Sequence, residues 1–189
     1  MQHFHMRVGV LALVLVIVPL SSAAGISPER LREVLTMAGE RVPGGYVLEV
    51  DVDDPREDPM MSIEFDSGTE VYVDAGRMRV VEVERYRERE AGDLLRSTSA
   101  DIRNGVRLWD AYATALDEVD SGEGRGSPFH LYGIEYELRY GRLVLEIEFR
   151  RVAPGYDEGD ATVWRRSSRY VALVDPLEGS VINIREDRD

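Results

Sequence analysis

The chain has 189 residues, 43% of them hydrophobic, no cysteine and a formal net charge of −13. All of its Lys/Arg residues are Arg. So acidic a surface repels nucleic acid and anionic lipid, and without Cys neither a disulfide framework nor a thiol nucleophile is available.

Arg7 precedes an apolar run from Val8 to Leu20, and Ser22-Ala23-Ala24 supplies small residues for a cut before Gly25. This order predicts a cleavable signal peptide over residues 1–24. The run is shorter than the about 20 apolar residues that span a bilayer. The expected product is a periplasmic or secreted protein with no stable membrane insertion after leader cleavage.

A first unit is read over residues 25–86. Ser27 is a good N-cap and Pro28 suits the first helical position. Leu31, Val34, Leu35 and Ala38 recur at helical spacing, and Val42-Pro43-Gly44-Gly45 stops the helix. Tyr46, Leu48, Val50 and Val52 alternate with Glu49 and Asp51, as in a half-buried strand. After an acidic loop over 53–59, Met61, Ile63 and Phe65 alternate again. Val71-Tyr72-Val73 and Met78 to Val83 follow as the third and fourth strands.

Residues 87–105 read as a charged linker, and a second unit occupies 106–189. Leu108, Ala111, Tyr112, Ala115, Leu116 and Val119 form the clearest amphipathic stretch. Asp120 to Pro128 reads as a loop. Tyr132, Ile134, Tyr136, Leu138 and Tyr140 alternate with Gly133, Glu135, Glu137 and Arg139. Leu143, Leu145, Ile147 and Phe149 return after Gly141-Arg142, with Glu146 and Glu148 outward. A strand from Val163 to Val174, a turn over 175–179 and a strand from Val181 to Ile184 complete the unit.

The order is twice one helix and four strands. A single helix stripe covers one sheet face, so the predicted class is α+β: two units, each a helix packed on a four-stranded antiparallel sheet.

Several segments resemble the PepSY family. They are Val42-Pro43-Gly44-Gly45-Tyr46, Tyr72-Val73-Asp74-Ala75-Gly76, the Ala-rich helix Ala111 to Leu116, and Leu173-Val174-Asp175-Pro176-Leu177-Glu178-Gly179-Ser180-Val181. The likeness covers roughly residues 27–86 and 106–187. It is carried by turn chemistry and alternation and by no rare catalytic residue. The resemblance implies an exported, non-catalytic binding protein that inhibits or restrains a peptidase of the cell envelope. Contact would be made by a sheet edge that pairs with an extended partner segment.

Side chains for chemistry are few. His130 is the one His beyond the leader, read as a partly exposed loop residue, and Gly-x-Ser-x-Gly is absent. A His/Cys zinc site is excluded by inventory. The acidic stretch 53–58 lacks EF-hand spacing, so it is read as a solvated loop. No cofactor, metal or catalytic residue is expected.

Candidate binding residues are Trp164, Arg165 and Arg166, an aromatic flanked by Arg. Asp74 and Asp175 join them, at matching turns where Asp accepts backbone hydrogen bonds. Trp109 is read as packing at a seam between the units, and Tyr132, Tyr136 and Tyr140 as core. Two alternatives stand beside protein binding: a structural or small-ligand module with an apolar cavity between the units, and a carboxylate-based hydrolase with two buried carboxyls in a cleft.

Overall fold

The computed structural model describes residues 25–53, 59–86, 105–123, 129–139, 141–151 and 167–187. The leader, residues 54–58, most of the linker and Trp164-Arg165-Arg166 lie outside them.

Helix α1 spans Pro28–Gly39. The Ser27 side chain caps it by accepting the Arg30 N–H at 3.2 Å, and Leu31, Val34, Leu35 and Ala38 are buried. Strands β1 (Val47–Val52), β2 (Met60–Phe65), β3 (Thr69–Asp74) and β4 (Arg79–Arg85) follow. Helix α2 spans Leu108–Glu123 and so includes residues 120–123, which the sequence reads as the start of a loop. Then come β5 (Phe129–Arg139), β6 (Arg142–Arg151), β7 (Ser168–Val174) and β8 (Val181–Asp187).

The expectation of two units, each a helix on its own four-stranded sheet, is overturned. All eight strands form one antiparallel sheet, in the order β4-β3-β2-β1-β5-β6-β7-β8. Strand β1 pairs with β5 through Glu49 with Glu135, Val50 with Ile134 and Asp51 with Gly133. The physical reason lies in the backbone. A separate meander would leave its first strand with a row of unpaired N–H and C=O groups, and pairing β1 with β5 removes both of those edges.

The core is continuous across this junction. Val50 is 0% and Ile134 2% exposed, and one apolar cluster runs from Leu31 and Val34 through them to Leu131, Ile147 and Phe149. Each such side chain contributes roughly 1.5–3 kcal/mol by leaving water. The Tyr112 hydroxyl of α2 donates to the Ile26 carbonyl at 2.5 Å, tying α2 to the segment that enters α1.

Irregularities re-aim single residues. The β5–β6 register shifts between Leu131 and Gly133. This bulge turns Tyr132 outward, 37% exposed, with the Arg150 guanidinium 4.7 Å from its ring centre. Tyr136 stays against the core, so the predicted tyrosine stripe is broken. Both outer pairs, β3–β4 and β7–β8, also contain a register shift. The outer strands carry Arg79, Glu82 and Arg85 on one side and Arg185, Glu186 and Asp187 on the other. Bulges and charges of this kind protect a sheet edge.

Candidate functional site

Both helices pack on one face of the sheet, over Val50, Ile63, Val71, Ile134 and Ile147. Strand alternation sends the intervening residues to the other face. There the registers bring one glutamate from each of six adjacent strands into line. Glu84 faces Glu70, Glu70 faces Glu64, Glu64 faces Glu49, Glu49 faces Glu135, and Glu135 faces Glu146. Leu173 and Asn183 continue the row on β7 and β8. Beside it run Glu82, Tyr72, Ser62, Asp51, Gly133 and Glu148.

Like charges directly across a strand pair repel. The middle of the row registers this. Burial, with the charges of Asp51, Glu135 and Glu64, pushes the Glu49 carboxyl up to about 7. Burial also raises Asp51 and Glu135, with acidic neighbours adding to both shifts.

Arginines share the face at its β5–β7 end. Arg139 donates to Glu137 at 2.5 Å and to Glu146. Arg150 donates to Glu148 at 3.2 Å, and Arg169 pairs with Glu148 at 2.7 Å. Glu135, Glu137 and Glu146 have the proximity of a cation site, with one carboxylate oxygen from each within 4.8 Å of the others. The Arg139 guanidinium engages two of them, so that role is filled by the chain itself.

The other end of the face holds a cavity of about 190 Å3 lined by Glu64, Gly68, Glu70 and Tyr86. Tyr86 N–H donates to the Gly68 carbonyl at 2.8 Å, which fixes its backbone beside the β2–β3 turn. Its hydroxyl donates to Glu84, its residue is 52% exposed, and Ser62 donates to Glu70.

The predicted site residues do not assemble. Asp74 is buried and shapes its own turn. Its Oδ1 accepts the Arg77 N–H at 2.8 Å, and its Oδ2 meets Arg77 and Arg79 at 3.0 and 3.3 Å. The backbone hydrogen bond from Arg77, with both guanidinium groups, holds its carboxyl below the usual range. Asp175 likewise accepts the N–H groups of Leu177 and Glu178, at 2.8 and 3.0 Å. Strands β2, β1, β5 and β6 separate the β3 and β7 ends where these two residues sit. Trp164, Arg165 and Arg166 fall outside the described residues.

His130 is not a partly exposed loop residue. It lies within β5, 2% exposed, and burial depresses its pKa. Trp109 packs against the core where the helices meet, with Arg107 and Arg32 at 5.4 and 6.0 Å from its ring centre. It also lines a cavity of about 380 Å3 with Leu35, Phe65, Val106 and Tyr136. The glutamate row itself escapes sequence reading. Alternation placed Glu49, Glu135 and Glu146 outward, but only the registers show that they face one another.

No family model matches the chain, and neither does any curated protein. Among solved structures, the chain is similar to a candidate lipoprotein from Clostridium difficile 630, with 12% identity and a TM-score of 0.49 over 90% of this chain and 98% of that one. No helix among the described residues is long and apolar enough to cross a membrane.

Proposed function

We propose that this chain is an exported, non-catalytic binding protein that docks a protein partner on the glutamate-bearing face of its sheet. The observation that carries the reading is the row of six cross-strand glutamates. Carboxylates directly opposite one another cost the fold, and Glu49, raised by burial and by three acidic neighbours, carries that cost at the centre of the row. Such a local penalty fits a contact surface, as functional sites commonly break local rules. The leader supports export. The exposure of Asp51 and Glu135 favours an open docking surface over a hydrolase cleft with two buried carboxyls.

The PepSY resemblance supplies the specific version, in which the partner is an envelope peptidase and docking restrains it sterically. The open face is a better surface for this than either edge, because both edges carry bulges and charges. The test places a photo-crosslinking phenylalanine analogue at Tyr72, in the row beside Glu70, or at Asp117 on the outer face of α2. Crosslinking is done in intact cells and read by mass spectrometry. The reading expects a discrete product from position 72 and none from 117, and slower turnover when the partner is a peptidase and the purified chain is added. No product from position 72, or equal products from both, contradicts it.

A further inference from the structure

We infer that the protein also binds a free fatty carboxylate. The cavity of about 380 Å3 where the two helices meet takes the hydrocarbon tail, and Arg107 and Arg32 meet the carboxylate. This goes beyond the docking reading and does not rest on it, because the cavity lies on the helix-bearing face of the sheet.

The walls select the tail. Leu35 of α1, Phe65 of β2, Val106 and Trp109 around the start of α2, and Tyr136 of β5 surround the space with apolar groups. Gly39 also lines it, and a Cβ added there would meet nothing within 4 Å beyond its own helix, so the space is open beside the end of α1. Small-ligand pockets run from roughly 300 to 1,000 Å3, so a cavity near the lower end suits one chain of about ten carbons and not a two-tailed lipid.

Charge selects the head. The sequence holds 36 Asp and Glu residues, yet among the described residues none lines this cavity, and Arg107 is its one charged lining residue. The Arg107 guanidinium lies 5.4 Å from the Trp109 ring centre, and that of Arg32, from α1, lies 6.0 Å from it. Both residues are exposed, and neither is paired with a carboxylate among the described residues. Elsewhere the arginines are taken: Arg30, Arg77, Arg139, Arg150 and Arg169 all engage carboxylates. An aromatic face leaves a guanidinium its forked donors, which match a carboxylate. Arg107 is also the N-cap of α2, its carbonyl accepting the Asp110 and Ala111 N–H groups at 2.9 and 3.0 Å. The positive end of that helix therefore adds to the same field. The glutamate row faces the other side of the sheet. The net charge of −13 opposes an anionic membrane as the occupant, whereas a single carboxylate needs only these two guanidinium groups.

The test uses the mature chain carrying Trp164→Phe, which leaves Trp109 as the sole tryptophan, and follows its fluorescence. Decanoate is expected to give a saturable blue shift, decan-1-ol to bind about tenfold more weakly, and acetate to give no shift. Arg107→Gln combined with Arg32→Gln brings decanoate to within about twofold of decan-1-ol and leaves decan-1-ol itself unchanged, a split that misfolding would not produce. Gly39→Phe fills the tail space and weakens both ligands by more than about tenfold, and because Gly is a poor helix former the variant melts no lower than its parent. Decanoate binding that survives the arginine changes at full strength would overturn the inference, as would undiminished binding in Gly39→Phe or the lack of any saturable response. A shift with phosphatidylglycerol vesicles but none with decanoate would make the surface a membrane contact. A shift that follows protein concentration alone would make it a contact between copies. Either result overturns the inference as well.

Discussion

Glu49 of β1 sits directly opposite Glu135 of β5, at the strand pair that joins the two helix-led stretches into one sheet. The apolar neighbours Val50 and Ile134 hold that junction from the helix side, while repulsion between carboxylates opposes it from the other. The molecule tolerates a local penalty at its centre, and the predictions below follow from that balance and from the turns around it.

The pH dependence of stability carries the signature of Glu49. Its folded pKa, about 7, exceeds its ordinary value of 4.5. The folded state therefore binds more protons than the unfolded state between those values, and stability falls as pH rises through that window. Asp51 and Glu135, also raised, act in the same direction. After allowance for solvent screening at a half-exposed group, the loss is on the order of 1 kcal/mol. Calorimetry is expected to show Tm about 2–4 °C lower near pH 8 than near pH 5. His130, its pKa lowered by burial, acts oppositely below its ordinary value of 6.5, so the decisive comparison is with Glu49→Gln. That variant should lose the component of the fall that Glu49 causes; an unchanged pH dependence in it would be inconsistent with a protonated row.

Asp74 behaves oppositely. Its depressed pKa means that its contribution is present above its ordinary value of 3.8 and is lost as pH falls through the folded value. Asp74→Ala leaves the Arg77 N–H without its acceptor and is expected to cost about 2–3 kcal/mol in urea unfolding. Asp175→Ala, at a more exposed turn, should cost about 1 kcal/mol. Equal costs would show that burial of Asp74 has no energetic consequence.

The β7–β8 turn is tightly coupled to the chain entering α2. Val106 N–H donates to the Pro176 carbonyl at 2.7 Å, and a Cβ on Gly179 would lie 2.8 Å from Val106 Cγ2. Gly179 also has φ near 71°. Gly179→Ala is expected to destabilise by about 2 kcal/mol, from the left-handed backbone and the clash together. In the double variant with Val106→Ala the clash disappears and the backbone strain remains. The two changes should then be non-additive by about 0.5–1 kcal/mol. Strict additivity would place the strain elsewhere.

Tyr112→Phe removes the buried hydroxyl that meets the Ile26 carbonyl. The expected loss is about 1–2 kcal/mol, because the carbonyl is left without that donor. Hydrogen exchange should reveal faster opening of the first turn of α1, with the β6–β7 amides unchanged. Uniform acceleration would instead point to a global effect.

Much of the secondary structure was legible in the sequence because its signals are local. The stripes Leu31, Val34, Leu35, Ala38 and Ala111, Tyr112, Ala115, Val119 are buried as their spacing predicts. Asp74 and Asp175 shape the turns that Asp chemistry anticipates. What escaped is non-local. No periodicity says that β1 meets β5, since both strands read as half-buried in either arrangement. The bulge that ejects Tyr132 breaks an alternation that looked regular, and His130 is buried by contacts distant in sequence. The glutamate row depends on five successive registers, and a slip of one residue in any strand would turn its carboxylate toward the core face.

One paired measurement reaches furthest: thermal stability and in-cell crosslinking through position 72, determined together for Glu49→Gln combined with Glu135→Gln. If the row is held against its own repulsion in order to meet a partner, the variant melts higher than wild type near pH 8 and loses the crosslinked product. A variant that melts higher yet crosslinks as wild type does would show the carboxylates at the β1–β5 junction to be bystanders.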